Sequence, residues 1–503
     1  MNIFMNGLKN ATNYTLTENH AIAHKSTNSK LYDMFALGGS FRTRSDADVI
    51  TLFKNAYEEN PIYALKCLFY LGDCRGGAGE RRFFRLCYRW LAQNDIEAAR
   101  RNLEHIPLYR RWDDLYCLEG TKLESEMFQF MKKQLVLDMQ SKTPSLLAKW
   151  LKSCNTSSAE SRRLGEKTRV AFGMTQRQYR KTLSVLRERI NVLERLMSAG
   201  KWDEIEFDKI PSRAGMIYKN AFARHDIERA KSEKEVQTYE QFAKSDAKVN
   251  SKVLFPYECV AEALKCRRSA LDDTNRLMTN KYWENLPDVI KNANFNGIVV
   301  ADTSGSMTGS KASAPINVAI SLALYCAERA SGPYAGHYIS FASRPQLIET
   351  SGVDFVDKVK RIYDTNLIDN TNLEAVFDLL LDTAQRNRCK QEDIPQNVVI
   401  VSDMQIDAAR GSGWSYYNRN TSTKPVATEM DIIRNKWAMA GYKMPKLYYW
   451  NVNARDNTIL DDGPDVSYVS GFSQSIFESI MTGKTGIMLM MDKLDSDRYA
   501  KIK

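Results

Sequence analysis

The stretch NGIVVADTSGSM, residues 296–307, decides the fold of the second half of this 503-residue chain. Its apolar run, residues 298–301, predicts a buried β-strand, and the small polar residues after it predict a tight loop. That loop carries the carboxylate of Asp302 and the hydroxyls of Ser304 and Ser306. Because open α/β sheets bind ligands at the carboxyl ends of their strands, these oxygens stand where a site is expected. Such hard ligands favour Mg²⁺ or Mn²⁺ over a thiophilic metal.

Two later segments supply polar groups in the same kind of position. The sequence Asn-Thr-Asn-Leu, residues 370–373, places the hydroxyl of Thr371 just before a helical pattern. The apolar run 398–401 predicts a second buried strand, which ends in Ser402 and Asp403. An isolated Asp-x-Ser-x-Ser is also typical of an ordinary turn, so the pentapeptide alone leaves both interpretations open. The agreement of three loops favours a metal site.

These three loops, in this order, resemble the metal-ion-dependent adhesion site of von Willebrand factor A domains. The resemblance implies that Ser304 and Ser306 bind the metal directly and that Thr371 does so when a ligand is present. It implies that Asp302 and Asp403 act largely through water. It also implies one open coordination position, which an acidic residue of a protein partner would fill.

The C-terminal region alternates between strand and helix patterns from about residue 294, which predicts a mainly parallel sheet. The predicted strands are 298–301, 337–341, 347–349, 398–401, 447–451 and 466–469. The predicted helices are 315–330, 373–386, 428–440 and 473–482. We therefore expect a doubly wound, Rossmann-like von Willebrand factor A domain over residues 291–490. After it, residues 491–503 are predicted to form a basic, loosely held tail.

Residues 1–290 have a mostly helical pattern. Two helices are predicted over residues 48–71, separated at Pro61. One long helix is predicted over residues 175–199, where Thr175 and Gln178 form a capping box and Gly200 ends the helix. Successive helices with short connections indicate an α-solenoid or an irregular, HEAT-like array. The expected fold class is thus a helical array followed by an α/β domain.

The positive charge of the chain lies in its N-terminal region. Residues 1–290 contain 48 Lys and Arg against 37 Asp and Glu, whereas residues 291–503 contain 23 against 24. A polyanion would therefore meet the helical array. Candidate RNA-binding residues lie opposite the apolar stripe of helix 175–199 and beside the glycines of residues 75–82: Arg177, Arg180, Lys181, Arg187, Arg189, Arg75, Arg81 and Arg82.

Less specific interpretations of these basic residues stay open. A solvated helix face explains a modest basic excess, and the glycines predict a tight turn whose arginines pair with nearby acids. The glycine segment lacks a Gly-Lys-Ser/Thr ending and follows no buried strand, which excludes a nucleotide-binding P-loop. In Trp112-Asp113-Asp114, adjacent carboxylates point in different directions on a helix, so an N-cap is favoured over a metal pair.

Short motifs along nearly the whole chain resemble a large family of unknown function found in plants, microbes and viruses. They occupy residues 16–19, 31–35, 73–81, 112–115, 145–150, 179–181, 211–214, 255–258, 402–405, 449–451 and 470–473. The layout, with a helical array first and an A domain last, is more distantly similar to the Ro autoantigen proteins. There a TROVE module of helical repeats binds small structured RNAs and the ends of misfolded RNAs, so the resemblance implies a small structured RNA as partner.

The cysteines and the apolar stretches of the sequence indicate the cellular compartment that we expect for this protein. Nine scattered cysteines without a Cys-x-x-Cys pair argue against a disulfide framework or a zinc site and for reduced thiols. No apolar stretch approaches the roughly 20 residues of a membrane span, and the N-terminus lacks the features of a secretory signal. We expect an intracellular protein, cytoplasmic or, in a eukaryote, nuclear, without a membrane partner.

Three hypotheses follow for the function. The first is a non-catalytic RNA-binding scaffold of the Ro ribonucleoprotein type, with a Mg²⁺-dependent protein-interaction site in its A domain. The second is a protein-interaction adaptor that binds no RNA. The third is a Mg²⁺-dependent nucleic-acid hydrolase, which would need further carboxylates around the metal. None of the five histidines lies in a recognised nucleophile motif, so we expect no enzyme of that kind.

Overall fold

The computed structural model describes residues 13–19, 21–232, 236–269, 271–291, 295–341, 344–365, 371–406, 429–461 and 463–503. A short antiparallel hairpin, β1 (Tyr14–Leu16) and β2 (Ile22–His24), comes first. The helices that follow are α1 (Lys30–Leu37), α2 (Asp46–Glu59), α3 (Pro61–Gly72), α4 (Arg81–Asn94), α5 (Ile96–Asn102), α6 (Ile106–Tyr109), α7 (Glu124–Gln140), α8 (Leu147–Trp150), α9 (Ala159–Ala171), α10 (Gln176–Arg189), α11 (Leu193–Ser198), α12 (Ser212–Arg224), α13 (Asp226–Ala230), α14 (Tyr239–Lys244), α15 (Pro256–Ala263) and α16 (Thr274–Glu284).

Local sequence signals explain where several of these helices begin and end. Asn60 ends α2 and caps α3, accepting a hydrogen bond from the Tyr63 backbone, and Pro61 occupies the first turn of α3. The two predicted helices are therefore confirmed. The single helix predicted over residues 175–199 is wrong: its capping box is present, but α10 ends at Arg189. Asn191 has a φ of 47°, and the chain restarts as α11.

The C-terminal region contains a six-stranded mixed sheet. Its strands are β3 (Gly297–Asp302), β4 (His337–Phe341), β5 (Gln346–Glu349), β6 (Asn397–Ser402), β7 (Lys446–Asn451) and β8 (Val466–Ser470). Their order is β5-β4-β3-β6-β7-β8, with only β5 antiparallel to its neighbour. All six predicted strands are confirmed, with small shifts at their ends. Strands β3 and β6 are adjacent and central, so their carboxyl ends meet.

Helices connect or flank these strands. They are α17 (Pro315–Arg329), α18 (Phe355–Thr365), α19 (Leu373–Arg386), α20 (Glu429–Met439), α21 (Ile476–Ile480) and α22 (Gly486–Leu494). The first, α17, is buried along most of its length and packs on β3, which explains its apolar sequence. The sequence pattern missed α18 and α22. Within the described residues, no helix combines the length and the apolarity that a membrane span requires.

The two regions share one packed interface. Helix α1 packs on the edge strand β8, where the Tyr468 backbone N–H donates to the Tyr32 hydroxyl at 2.9 Å. The Gly39 N–H donates to Ser470 Oγ, also at 2.9 Å. A Cβ at position 39 would lie 2.3 Å from the Ser470 carbonyl oxygen, so only glycine permits this approach. The N-terminal helices therefore cover an edge that would otherwise be open to pairing.

The C-terminal tail is held firmly, contrary to the prediction for residues 491–503. Tyr499 is fully buried, with its ring centroid 5.7 Å from that of Tyr109. Arg498 forms an ion pair with the buried Asp73, and the Lys503 backbone N–H donates to Asn102 Oδ1 at 2.9 Å. Aromatic burial and a paired buried carboxylate outweigh the lysine content that suggested a loose end.

Candidate metal site and nucleic-acid interface

Two of the three loops predicted to bind a metal, residues 302–306 and 402–403, meet at the carboxyl ends of β3 and β6. Residues Ala301 and Val401 are register partners, so the residues that follow them emerge side by side. Asp302 Oδ1 accepts a hydrogen bond from the Ser304 backbone at 2.9 Å. Asp302 Oδ2 accepts from the hydroxyl of Ser402, a residue that the sequence analysis did not single out as functional. The two strands are thus tied together at the loop that carries the site.

Hydroxyls and carboxylates converge there. Ser304 Oγ and Ser306 Oγ are 3.0 Å apart. Burial raises the pKa of Asp302, and the charge of Asp403 raises it further. Burial also raises the pKa of Asp403, which accepts a hydrogen bond from the Gln405 backbone at 3.2 Å. Two carboxylates in a dry environment destabilise each other unless a cation or a proton accompanies them.

The donor set fits a hard divalent cation. Asp403 Oδ2 is buried and has no hydrogen-bond partner among the residues that the structure describes. Hydroxyl and carboxylate oxygens of this kind suit Mg²⁺ or Mn²⁺. Thr371 is buried immediately before α19, whose N-cap Asn372 accepts from the Ala375 backbone. The neighbouring Asn370 lies outside the described residues.

Arg455 and Glu18 stand at the edge of this site, and the sequence analysis assigned a role to neither. Arg455 Nε lies 3.4 Å from Asp403 Oδ2, and Arg455 Nη2 donates to the Ser306 carbonyl at 3.0 Å. Arg455 Nη1 lies 2.8 Å from the carboxylate of Glu18. Since 437 residues separate Glu18 from Arg455, no local signal in the sequence indicates this pair.

A basic cavity of about 1600 Å³ lies in the helical region. Six of the eight candidate RNA-binding residues line it: Arg75, Arg81, Arg177, Arg180, Lys181 and Arg187. Arg82 instead forms an ion pair with Asp46, and Arg189 donates to the Met139 carbonyl at 2.8 Å; neither lines the cavity. The structure therefore brings the glycine segment and helix α10, about 100 residues apart in sequence, to one surface.

Helix α10 supplies unpaired cations to this cavity. Arg177, Arg180 and Lys181 are exposed and form no ion pair with any residue in the described part of the chain. Arg187 differs from them, because its guanidinium donates to the carbonyls of Ala148 and Leu151. Burial lowers the pKa of Arg187, and these contacts fix the segment after α8. The sequence pattern places Arg187 on the same face as Arg177, Arg180 and Lys181, but its guanidinium is bound to backbone carbonyls.

Two buried carboxylates anchor arginines at the cavity wall. Asp114 accepts from Arg81 Nη2 at 2.9 Å, from Arg110 Nε at 3.1 Å and from Arg85. Burial acts to raise the pKa of Asp114, but these three charges hold it down, to about 2. Asp113 binds Arg111. The N-cap interpretation of this pair is wrong, since Arg111 is the N-cap residue of the 3₁₀ helix Trp112–Leu118 and no side chain caps it.

Aromatic side chains accompany the cations. The Arg111 guanidinium lies 3.7 Å from the ring centroid of Trp150, and Trp112 stacks on Phe130 at 5.4 Å. Trp112 and Trp150 both line the cavity. Basic residues that line it and that the sequence analysis missed are Arg110, Arg111, Lys149, Arg195 and Arg213. The sequence contains a signal for some of these residues, which is a basic residue directly before a tryptophan. It occurs in Arg-Arg-Trp, residues 110–112, and in Lys-Trp, residues 149–150.

Comparison with known proteins places the chain in a family. Residues 17–114 and 134–294 match the family described as Domain of unknown function (DUF2828), over more than half of the chain. The chain belongs to this family. Residues 296–498 match a second one, Domain of unknown function (DUF7788). The resemblance to a family of unknown function is thereby confirmed.

Two individual proteins are similar to this DUF2828 protein. Uncharacterized protein L728 of Acanthamoeba polyphaga mimivirus is 28% identical over 511 aligned residues, which cover 94% of this chain and 85% of that protein. The crystal structure of the Deinococcus radiodurans RO (RSR) protein aligns with a TM-score of 0.48 and 14% identity. That alignment covers 91% of this chain and 99% of the other.

Proposed function

We propose that this protein is a non-catalytic RNA-binding scaffold whose helical region holds RNA in the basic cavity. The composition of the cavity wall carries this proposal: eleven lysines and arginines line it, against two acids, Asp114 and Glu194. Three of these cations, Arg177, Arg180 and Lys181, are exposed on one helix. Because phosphate contacts dominate nucleic-acid affinity, a wall with this excess favours a polyanion over a neutral ligand.

The size and the aromatic content of the cavity favour nucleic acid among polyanions. Small-molecule pockets usually occupy about 300–1000 Å³, so a cavity of about 1600 Å³ has room for several nucleotides. Trp112 and Trp150 offer faces on which bases can stack, and arginine beside tryptophan adds a cation–π contribution. Stacking of this kind tolerates many sequences, which suits a scaffold for small RNAs.

We further propose that residues 291–490 form a von Willebrand factor A domain with a metal-ion-dependent adhesion site. Ser304 and Ser306 would bind Mg²⁺ or Mn²⁺ directly, with Thr371 joining when a ligand is present. Asp302 and Asp403 would act through water. The bound ion supplies an open coordination position that accepts a carboxylate, so a protein partner would present an acidic residue there. The chain's own residues orient the site, since Ser402 and Ser304 fix the Asp302 carboxylate.

The alternatives make different demands on the structure. An adaptor that binds no RNA leaves the exposed cations of α10 without a role. A metal-dependent hydrolase needs several carboxylates around its metal. Among the residues that the structure describes, no group of three or more His, Cys, Asp or Glu side chains comes together as a metal cluster. We therefore propose a scaffold first, an adaptor second and a hydrolase third.

Salt-dependent RNA binding tests the proposal. We expect a single-stranded oligonucleotide to bind the full chain with an affinity that falls steeply with salt. In the triple variant Arg177→Gln, Arg180→Gln and Lys181→Gln, the log–log slope should flatten by about 2, at about 0.7 per phosphate contact.

A control variant removes the same charge elsewhere. Arg386, Lys390 and Lys443 are exposed residues of the C-terminal region, and their replacement by Gln should leave the slope unchanged. Equal flattening in both variants would indicate a net-charge effect. No binding at low salt would favour the adaptor.

A further inference from the structure

Arg455 is the cation nearest to the buried carboxylate of Asp403 among the ion pairs that the described residues form. It lies on the loop after β7 and contacts three groups at once: the Asp403 carboxylate, the Ser306 carbonyl and the Glu18 carboxylate. The side chain of Arg455 is about one third exposed, and that of Glu18 is half exposed. The arginine therefore provides the positive charge that the two buried carboxylates otherwise lack.

Hydrogen bonds of residues 17–19 hold Glu18 beside Arg455 and Asp403. The Glu18 N–H donates to Gln405 Oε1 at 2.7 Å, and the Thr17 hydroxyl donates to the Ile406 carbonyl at 2.7 Å. Asn19 Nδ2 donates to the Gln405 carbonyl at 2.9 Å. These partners lie two and three residues after Asp403, so the segment is docked beside the metal loops whatever the charge on residue 18. The position of the Glu18 carboxylate is thus built into the fold.

A divalent cation bound at this site would compete with Arg455 for the Asp403 carboxylate. A dication bound by Ser304 and Ser306, with the two aspartates acting through water, would repel a guanidinium that lies 3.4 Å from Asp403. Once Arg455 withdraws, the Glu18 carboxylate loses its partner and becomes an anion beside a dication, at the rim of a site that takes one more acidic ligand. The Glu18 carboxylate can change position by side-chain rotation alone, while the hydrogen bond to Gln405 keeps the backbone of Glu18 in place.

We propose that Glu18 is an internal ligand of the metal site, which this chain supplies to its own A domain in place of a partner's acidic residue. Arg455 holds Glu18 when the metal is absent and gives it up when the metal binds. An external acidic partner must then displace Glu18, so the site is capped by its own chain. This inference rests on the proposed metal site and adds the identity of its carboxylate ligand.

Calorimetric titration of the full chain with Mn²⁺ tests this assignment. We expect Glu18→Gln to weaken Mn²⁺ binding by about tenfold, because it removes an anionic ligand. We expect Arg455→Gln to strengthen it by about tenfold, because it removes a competing cation. Glu206→Gln, at an exposed glutamate elsewhere in the chain, is the matched control and should not change the affinity.

Hydrogen exchange supplies a second measurement that does not depend on the size of the binding heat. In the unaltered protein, Mn²⁺ should increase the protection of residues 14–19, and in Glu18→Gln this increase should be lost. Unchanged Mn²⁺ affinity and unchanged protection in Glu18→Gln would overturn the internal ligand while leaving the metal site intact. Absence of Mn²⁺ binding in the unaltered protein would overturn both proposals.

Discussion

The basic cavity and the metal loops differ in the sign of their excess charge. At the cavity, arginines surround the buried carboxylate of Asp114, which lines the wall, and that of its neighbour Asp113. Further cations of the wall are exposed and unpaired among the described residues. At the metal loops, Asp302 and Asp403 are buried together, and Arg455 is the one cation paired with either of them in the described part of the chain. The cavity has positive charge in excess and the loops have negative charge in excess. The two ligands that we propose, RNA for the cavity and a divalent cation for the loops, each carry the opposite sign of charge.

The largest effect should come from the carboxylate at the end of β3. Asp302→Asn keeps the shape of the side chain but removes its charge, and we expect Mn²⁺ affinity to fall at least a hundredfold. Calorimetry measures this loss directly. RNA affinity of the same variant should stay within about threefold of the unaltered protein, since the cavity is a separate site. Mn²⁺ binding that survives in Asp302→Asn would contradict the assignment of the metal loops.

The stability of the metal-free protein should depend on pH in the direction opposite to that of an ordinary ion-paired aspartate. Burial and Asp403 raise the folded-state pKa of Asp302 above its unfolded value of about 3.9, so the folded state binds more protons between these two pKa values. Its contribution to the free energy of unfolding is then present below pH 4 and is lost as pH rises towards 7. We expect a loss of at least about 1.4 kcal/mol, the free-energy equivalent of one pKa unit.

Urea denaturation in EDTA at pH 5 and pH 7.5 checks this prediction. The difference between the two pH values should be smaller in Asp302→Asn, because that variant no longer titrates at residue 302. Saturating Mn²⁺ should also reduce the difference in the unaltered protein. An identical pH dependence in both proteins would show that the charge at residue 302 does not destabilise the fold.

Two arginines of α10, Arg180 and Arg187, should behave differently, although the sequence pattern places them on the same face. Arg187→Gln leaves the carbonyls of Ala148 and Leu151 without their donor, and we expect a loss of about 2 kcal/mol in the free energy of unfolding. Arg180→Gln should change it by less than about 0.5 kcal/mol, because Arg180 is exposed. Thermal or urea unfolding of both variants measures these changes in the free energy of unfolding. Equal stability of the two variants would mean that the contacts of Arg187 with the backbone carbonyls do not stabilise the fold.

The smallest effect expected is that of metal removal on RNA binding. EDTA should change RNA affinity by less than about threefold, or about 0.7 kcal/mol, because the cavity residues and the metal loops are distinct sets. A gel-shift titration with and without EDTA, run beside a cleavage time course, measures this. RNA that is cut only in the presence of Mg²⁺, and not by Asp302→Asn, would make the protein a hydrolase.

Much of the fold could be predicted because its signals are local. Buried parallel strands appear as continuous apolar runs, so all six strands of the sheet were located. Capping residues and Pro61 likewise marked several helix ends. Helix α18 was missed, and so was the break after α10, where Asn191 adopts a positive φ within an otherwise periodic apolar stripe.

The candidate sites were predicted only as far as sequence neighbours form them. Asp302, Ser304 and Ser306 share one loop and were recognisable by spacing. The cavity instead is lined by residues between 72 and 255, so Arg195 and Arg213, which have no tryptophan beside them, could not be assigned to it in advance. The contact of Arg455 with Glu18, and that of Arg498 with Asp73, join residues more than 400 positions apart. Such contacts follow from tertiary packing, which leaves no periodic trace in the sequence.

Photocrosslinking tests the central claim, that RNA lies in the basic cavity, more directly than any affinity. A single-stranded RNA containing 4-thiouridine would be crosslinked to the full chain in EDTA, and the attachment sites would be mapped by mass spectrometry. We predict crosslinks at residues of the cavity wall, foremost Trp112 and Trp150, and their loss in the variant Arg177→Gln, Arg180→Gln and Lys181→Gln. Crosslinks confined to residues 291–503, or crosslinks that persist unchanged in that variant, would contradict the account.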